Sequence, residues 1–370
     1  MKIAYLTNAS ENSGVGRRAS EIKKRLKESG VDEIRLKHTS RWPKTIDWIV
    51  LGRQLDLRGY DIVHATNQTL SFVLRQAQDK PRVVTVHDII EVTEPQSFWG
   101  GRASRYLYSG ISKAERVIAV SEYTKRAVQA RYQVPDERMR VIYNGVGEEF
   151  FPIDNFRETI GCQELRRELK VPEGVKIVLY VGSDHPRKNV VGAVAAFAKS
   201  VVDKEINMIF IKVGKPGLPA GRNALLEEID RLGIRERVRF VGNVDLERLN
   251  GLYNLADVLI YPSRFEGFGL PPLEAMAAGT PVVASNATSI PEVVGPSTGS
   301  TSSQQASSGQ AAAIMHDPDD IDAFAESLRR VLADESLAQD LRTRGLKRAN
   351  LFSWDAAAAA EFEVYQSLAS

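Results

Sequence analysis

Short apolar runs alternate with helix-like segments along this whole chain, and this alternation limits the possible folds more than any other feature. Ten runs indicate buried strands: 3–6, 62–64, 83–86, 117–120, 141–143, 176–181, 207–212, 239–242, 258–261 and 281–284. Continuous apolar strands separated by helices are typical of parallel sheets that are covered on both faces. The pattern therefore predicts the α/β class.

A polar, amphipathic stretch at 157–170 interrupts the alternation, which restarts after it. A chain of 370 residues is long enough for two such domains, each with its own core. We predict two Rossmann-like, doubly wound domains, 1–170 and 171–354. Ligands bind beyond the carboxyl ends of the strands in such sheets, so two domains that face each other would enclose a cleft. The Ser- and Gly-rich stretch 295–310 is expected to be a flexible loop.

The composition, 43% hydrophobic and 26% charged residues, is that of a soluble globular protein. No apolar run has the length of a membrane-spanning helix, and the chain opens on a strand-like segment instead of a signal peptide. The single cysteine, Cys162, excludes an internal disulfide and fits a reducing compartment. A cytoplasmic location is expected.

Positive charge is concentrated at the N-terminal end. Residues 1–150 carry 25 Lys and Arg against 18 Asp and Glu, whereas the remainder carries 24 against 29. The helix-like segment after Gly16 is the most basic, with Arg17, Arg18, Lys23, Lys24, Arg25 and Lys27. A solvated helix face and a docking face for anionic lipid both fit this pattern. It lacks the interleaved aromatic residues of a nucleic-acid platform, so no nucleic-acid partner is expected.

The segment 265–284 carries the most chemistry. Glu266 and Glu274 lie eight positions apart, separated by a glycine-rich turn and two prolines that can open a helix. Glu274 is expected in the first turn of that helix, with Glu266 on the loop before it. The amides of Phe268, Gly269 and Leu270 would then point out of a helix N-terminus, which suits an anion. Carboxylates that accept and amides that donate suit a ligand with many hydroxyls. The alternative is that Glu274 complements the helix dipole and Glu266 is a solvated loop residue.

This segment resembles the E-x7-E signature of retaining glycosyltransferases of the family-4 type, which have two facing Rossmann-like domains (GT-B). Further blocks resemble that family in the same order, and they cover nearly the whole chain: 13–17, 86–88, 119–125, 142–146, 180–182, 186–189 and 352–354. The resemblance implies that a final helix, 355–370, crosses back onto the first domain. One departure is Ser183, where the family often has an arginine.

The resemblance also implies roles for single residues. Glu274 would bind the ribose hydroxyls of a sugar nucleotide, and Glu266 would bind the donor sugar with help from the amides of Phe268, Gly269 and Leu270. Arg187 and Lys188 would neutralise the diphosphate. Further implied contacts come from backbone amides near Gly242, Asn243 and Val244 to the base, and from His87 to the sugar near its reacting carbon. Gly14 and Gly16 are expected on a flexible loop that contacts the donor phosphate or the acceptor. A satisfied structural histidine is the alternative for His87.

We therefore expect a retaining hexosyltransferase in which Glu266, His87 and Lys188 are the catalytic residues. It would move a hexose, with mannose favoured, from GDP-mannose or another nucleoside diphosphate sugar to a hydroxyl of a glycan or lipid-linked saccharide. Neither a metal nor a cofactor is expected. Peripheral contact with the inner face of the membrane, through the basic first domain, is an open alternative to a purely cytoplasmic location. A glycoside hydrolase using the glutamate pair and a non-catalytic sugar-nucleotide-binding protein also remain open.

Overall fold

A computed structural model of the chain describes residues 1–11, 13–36, 44–93, 98–201, 207–217, 219–295 and 311–369. The chain divides into two compact units, Met1–Gly145 with Phe352–Ser370, and Val146–Leu351. The expected flexible loop at 295–310 lies, apart from Gly295, outside the described residues. Within the described ranges, no helix combines the length and the apolar character that crossing a bilayer requires.

The first unit is built on a parallel sheet of six strands. They are β1 (Ile3–Thr7), β2 (Val31–Arg35), β3 (Ile62–Ala65), β4 (Arg82–Val86), β5 (Arg116–Ala119) and β6 (Met139–Val141), in the order β2-β1-β3-β4-β5-β6. Among the described residues, five α-helices lie between them: α1 (Gly14–Arg25), α2 (Lys44–Arg53), α3 (Ile90–Thr93), α4 (Phe98–Leu107) and α5 (Glu122–Tyr132). The chain turns back between β1 and β3, which makes that point the switch in strand order.

The second unit repeats this plan. Its strands are β7 (Lys176–Val181), β8 (Met208–Val213), β9 (Val238–Val241), β10 (Val258–Tyr261), β11 (Val282–Ser285) and β12 (Ile314–His316), all parallel, in the order β12-β11-β10-β7-β8-β9. Its α-helices are α6 (Ile160–Glu168), α7 (Val190–Ser200), α8 (Pro219–Arg231), α9 (Leu246–Leu255), α10 (Leu270–Ala277), α11 (Ile290–Val294), α12 (Ile321–Ala333) and α13 (Glu335–Ala349). The switch in strand order lies between β7 and β10.

The predicted α/β fold is confirmed, and each of the ten apolar runs overlaps a strand of the two sheets, although the run 141–143 shares only Val141 with β6. The runs do not include β2 and β12, which are edge strands. Only Val31 is buried in β2, and all three residues of β12 are half-buried. An edge strand has one protected side fewer than a central strand, so its sequence need not be continuously apolar.

The boundary between the units comes earlier than the sequence prediction placed it, after Gly145 instead of residue 170. The residues that follow Gly145 are tied to the second unit by hydrogen bonds. The Phe151 and Ile153 amides donate to the side chains of Asn250 and Asn254, at 3.3 and 2.7 Å. These polar contacts hold residues that carry no strand pattern, so no periodicity in the chain indicates which unit they belong to.

The last helix, α14 (Trp354–Ala369), packs on the first unit, as predicted. Its buried Trp354 and Tyr365 join a core with Tyr5 of β1 and Ile22 of α1. The chain therefore begins and ends its course in the same unit.

Candidate functional site

The predicted site residues of the second unit follow the two strands that flank its switch in strand order. Arg187 and Lys188 lie in a 3-10 turn, Pro186–Lys188, which follows β7 and which we call the basic turn. Glu266 lies in the loop that follows β10. In open α/β sheets, ligands bind in the crevice outside the carboxyl ends of the strands at such a switch. The fold therefore brings these three residues together where a ligand is expected.

Glu266 is the centre of this group, and it is buried, with 6% of its surface exposed. One carboxylate oxygen, Oε1, accepts from Lys188 Nζ at 2.5 Å, from Tyr261 Oη at 2.6 Å and from Ser263 Oγ at 2.8 Å. The other oxygen, Oε2, accepts from Arg187 Nη1 at 3.4 Å. Glu266 is therefore no solvated loop residue, and that alternative is wrong.

The charge state of Glu266 follows from this environment. Burial raises the pKa of the carboxyl, but the charges of Lys188 and Arg187 and the hydrogen bonds of Lys188 and Tyr261 outweigh it and lower the pKa to about 2. Glu266 is thus an anion at neutral pH. It can accept hydrogen bonds from hydroxyls, but it cannot donate a proton as a general acid.

Backbone contacts hold the basic turn against the loop after β10. The Arg187 carbonyl accepts from the Arg264 amide at 2.8 Å and from Ser263 Oγ at 3.1 Å. The Lys188 carbonyl accepts from the hydroxyl of Tyr180, a buried residue of β7, at 3.1 Å. Lys188 Nζ also lies 5.6 Å from the centre of the Tyr261 ring. Both cations are thereby oriented by their main chain as well as by Glu266.

Glu274 lies on α10, which begins at Leu270, so it is in the second turn and not the first turn that the sequence suggested. Pro271 and Pro272 fall inside the helix start, as predicted, but the helix begins one residue before them. Glu274 is buried, and its Oε2 accepts from the hydroxyl of Tyr253 at 2.9 Å. Complementing the helix dipole, the alternative reading, requires a place in the first turn, and the position of Glu274 does not fit it.

The turn before α10 depends on Gly269. Its φ of 105° lies in the left-handed region, and a Cβ atom there would lie 2.7 Å from Ile290 Cδ1. Phe268 is buried, and its carbonyl accepts from Ser289 Oγ at 3.0 Å. The amides of Gly269 and Leu270 lie at the N-terminus of the helix, in the place predicted for anion-binding amides.

Val244 lines a cavity of about 610 Å³ at the carboxyl end of β9. Phe240, Asn243, Lys170 and Arg239 also line it. The predicted contact of this loop with a base thus falls on a cavity large enough for one. Sequence reasoning had named Asn243 beside Val244, but not Phe240, Lys170 or Arg239, whose positions carry no motif.

His87 follows β4 in the first unit and is buried. Its Nε2 lies 3.1 Å from the Thr66 carbonyl, which can only accept, so Nε2 carries the proton and Nδ1 is left as an acceptor. Burial, the charge of Arg18 and the charge of His64 lower the pKa of His87 to about 3, whereas the bond to Thr66 raises it. His87 is neutral at physiological pH, and its Nδ1 suits a hydroxyl donor.

Gly14 and Gly16 are the first and third residues of α1 and do not form the flexible loop that was expected. Ser13 caps this helix, and its Oγ accepts from the Gly16 amide at 3.1 Å. A Cβ atom at Gly16 would lie 2.0 Å from the Ser10 carbonyl oxygen, so the preceding loop packs directly on the helix. The cap formed by Ser13 therefore makes Gly14 and Gly16 part of a helix, although their glycine-rich sequence had suggested a flexible loop.

The basic face of α1 is less exposed than its sequence suggests. Arg18 is buried, Lys23 pairs with Glu33 at 2.6 Å, and Arg25 pairs with Glu21 and Asp355 at 2.5 Å each. Lys24 and Lys27 are exposed.

Sequence reasoning missed Tyr261, Ser263 and Tyr253, which hold the two glutamates. Tyr261 ends an apolar strand just before the motif, and that position was the one available sign of its role. Among the residues that the structure describes, no three His, Cys, Asp or Glu side chains are grouped as a bound metal ion would need.

Sequence comparisons place these features in a known family. Residues 162–348, just over half of the chain, match the profile of the glycosyl transferases group 1, and residues 19–150 match that of glycosyltransferase family 4. The chain is 27% identical to O-antigen chain mannosyltransferase B of Escherichia coli, over the whole of both chains. It is 30% identical to MMP alpha-(1->4)-mannosyltransferase of Mycolicibacterium hassiacum, over 86% of this chain and 72% of that one.

Solved structures share the fold. HepE of Anabaena, in complex with UDP and glucose, aligns over the whole of both chains with a TM-score of 0.79 at 20% identity. Sucrose-phosphate synthase of Thermosynechococcus elongatus aligns over 100% of this chain and 99% of that one, with a TM-score of 0.78 at 23% identity. With both halves of the chain matched, this protein belongs to the group 1 glycosyl transferases and is a glycosyltransferase of the GT-B fold.

Proposed function

We propose that this glycosyltransferase moves a hexose, with mannose favoured, from a nucleoside diphosphate sugar to a hydroxyl of a saccharide or lipid-linked saccharide, and that it retains the anomeric configuration. The observation that carries the proposal is the buried, ionised Glu266 between Lys188 and Arg187 at the switch in strand order. The preference for mannose rests on the two mannosyltransferases to which the chain is similar, and GDP-mannose is the first donor to test.

The charges of the site suit this donor. Lys188 and Arg187, which pair with Glu266, would also bind the diphosphate. Its negative charge grows as the bond to the sugar breaks, so the two cations stabilise it most at that point. Glu266 would then accept hydrogen bonds from sugar hydroxyls, and Glu274 from those of the ribose. The two cations supply the charge that a metal ion would otherwise supply, so the proposed reaction needs no metal.

Retention follows from a front-side attack in this proposal. Lys188 and Tyr261 both donate to Oε1 of Glu266, so we do not assign this carboxylate the role of nucleophile. The acceptor hydroxyl would attack on the face that the diphosphate leaves, and the departing phosphate would take its proton. His87 Nδ1 would accept from a sugar hydroxyl. A glycoside hydrolase would need one protonated carboxyl, which the low pKa of Glu266 does not provide.

Nucleotide binding and transfer test the proposal separately. Thermal shifts with GDP, UDP, ADP and their hexose esters, with EDTA present, identify the donor. Glu274→Ala should weaken nucleotide binding. Glu266→Gln should leave GDP binding intact, because the carboxylate competes with phosphate for Lys188, yet it should abolish transfer. Glu326→Gln, an exposed change on α12, serves as the control.

Two outcomes would refute the proposal. If no nucleotide stabilises the wild type, the donor site is misassigned; if Glu266→Gln transfers at the wild-type rate, the role of Glu266 is wrong. Binding without turnover on any acceptor would favour the non-catalytic alternative.

Peripheral membrane contact through Lys24 and Lys27 remains a prediction, and flotation with anionic and neutral vesicles would test it. A cytoplasmic location also remains a prediction.

A further inference from the structure

Asp184 is a fully buried carboxylate in the loop between β7 and the basic turn. Its Oδ1 lies 2.6 Å from Lys212 Nζ, and its Oδ2 lies 2.7 Å from Arg222 Nε. Neither contact has the angles of a directed hydrogen bond, so the attraction is one of charge to charge. The loop that leads to Arg187 and Lys188 is thus anchored by an ion cluster that the mechanism above does not use.

Lys212 links this loop to the next one along the sheet. It is the penultimate residue of β8 and is 1% exposed. Besides pairing with Asp184, its Nζ donates to the carbonyls of Gly214 at 2.8 Å and Lys215 at 3.1 Å. Burial lowers the pKa of Lys212, and the negative charge of Asp184 opposes that shift. One ammonium group therefore fixes the loops after β7 and β8 to each other.

Glycines on the second loop leave little freedom between the two backbones. Gly214 has a φ of +113°, and a Cβ atom there would lie 2.7 Å from the Gly182 carbonyl oxygen. A Cβ atom at Gly221 on α8 would lie 2.0 Å from the Asp184 carbonyl oxygen. The loops are in backbone contact on both sides of the ion cluster, so a shift of one loop must move the other.

The same cluster reaches the loop that carries Val244. The Gly214 amide donates to the carbonyls of Val241 at 3.0 Å and Gly242 at 3.2 Å. The Arg222 guanidinium carbon lies 4.6 Å from the centre of the Phe240 ring, which lines the cavity beside Val244. The contacts of the cluster therefore connect the loop that leads to the basic turn, after β7, with the cavity at the carboxyl end of β9.

We infer that Asp184, Lys212 and Arg222 are positioning residues that set the basic turn at a fixed place relative to the cavity beside Val244. The inference rests on the proposed function, since a nucleoside diphosphate must engage the base cavity and the basic turn at once. A buried ion cluster adds little stability over apolar packing of the same volume. Charged groups that pair with several fixed partners instead hold the loops they join in one defined arrangement.

The test separates the phosphates from the nucleoside. Calorimetry gives the affinities of GDP and guanosine for the wild type, Asp184→Asn and Arg222→Gln, with Arg231→Gln, an exposed change on the same helix, as the control. We expect Asp184→Asn to weaken GDP binding by roughly tenfold while the affinity for guanosine stays within about twofold, because the basic turn moves and the cavity remains. Arg222→Gln should change the same ratio in the same direction by less, and Arg231→Gln should not change it.

A double variant covers the case in which Asp184→Asn does not fold. Asp184→Leu with Lys212→Met replaces the buried charges by apolar groups of similar size, which should restore stability. The inference expects GDP to bind this folded variant more weakly relative to guanosine than it binds the wild type. An unchanged ratio in the folded variants would overturn the inference. A wild type that binds neither GDP, UDP nor ADP would instead refute the proposed function.

Discussion

Glu266 is an anion that burial alone would neutralise and that two cations keep charged. A carboxyl whose pKa falls from 4.5 in the unfolded chain to about 2 in the folded protein stabilises the fold above about pH 4.5. That contribution is lost as the pH falls towards 2. We therefore predict that the difference in free energy of unfolding between wild type and Glu266→Gln becomes smaller by roughly 2 kcal/mol as the pH is lowered from 6 to 3. Urea unfolding across this range gives both curves, with Glu326→Gln as the control. Parallel curves for wild type and Glu266→Gln would contradict the charge state derived for the site.

Protonation makes His87 and His64 positively charged, whereas it makes Glu266 neutral. In both cases the folded protein binds the proton less readily than the unfolded chain, so acid destabilises the fold. Burial lowers the pKa of His87 to about 3 and that of His64 to about 4, both below 6.5 in the unfolded chain. The unfolded chain therefore binds more protons between these values, and stability falls as the pH falls below about 6.5. We expect the ring signals of His87 in NMR spectra to stay constant from pH 8 to pH 5, and His87→Gln to reduce the loss of stability over the acid part of that range. A His87 signal that titrates near pH 6.5 would show that the ring is not held as described.

The sequence was sufficient to find Glu266, Arg187 and Lys188, but not the ion pairs that join them. Their pairing depends on β7 lying beside β10, which comes from a switch in strand order and not from any spacing along the chain. Asp184 was missed for a related reason. One carboxylate near the end of an apolar strand has no meaning until Lys212 of the neighbouring strand is seen beside it.

The start of α10 shows how one backbone position can determine an element. Gly269 adopts a conformation that costs other residues about 1–2 kcal/mol, and its missing side chain makes room for Ile290. We predict that Gly269→Ala lowers the free energy of unfolding by at least that amount and weakens the thermal shift given by GDP, because the amides at the helix start must move. Gly161→Ala on α6 is the matched control. A Cβ atom there meets only Thr159 Oγ1, at 3.9 Å, and alanine is the better helix former, so it should be neutral or stabilising. Equal effects of the two changes would contradict this account.

Other elements were predictable to the extent that local signals governed them. Ser13 of α1 and Asp320 of α12 cap their helices through side-chain oxygens, and Ser and Asp are among the residues that local sequence favours at such positions. The edge strand β12 and the segment that follows Gly145 were not predictable in this way. Burial on one side, or hydrogen bonds to Asn250 and Asn254, places them, and neither leaves a periodic pattern in the chain.

A buried polar network holds the C-terminal helix on the first unit. Arg18 of α1 donates to Glu361 of α14 at 2.9 Å, and to the Ile142 carbonyl and the Asn144 side chain at 3.3 and 3.0 Å. Tyr365 donates to Glu361 at 2.9 Å, so His64 Nδ1, 2.6 Å from the same hydroxyl, must donate to it. His64 Nε2 then accepts from Thr85 at 2.9 Å. The family resemblance implied that this helix would return to the first domain, but the sequence did not indicate which side chains would hold it there.

Removing one partner of this network should therefore release the end of the chain. Glu361→Ala leaves the Arg18 charge buried without its carboxylate, which should cost about 3 kcal/mol or more. Glu363→Ala, two residues further along α14, removes a carboxylate that is 67% exposed and lies 3.6 Å from Arg140, and it should cost less than about 0.5 kcal/mol. Hydrogen exchange locates the effect: Glu361→Ala should speed exchange in α1 and α14 while leaving β7–β12 unchanged. The double variant Arg18→Met, Glu361→Leu should recover most of the loss, because it buries no charge. A small and equal cost of both alanine changes would mean that apolar packing of Trp354 and Tyr365, and not the ion pair, attaches this helix.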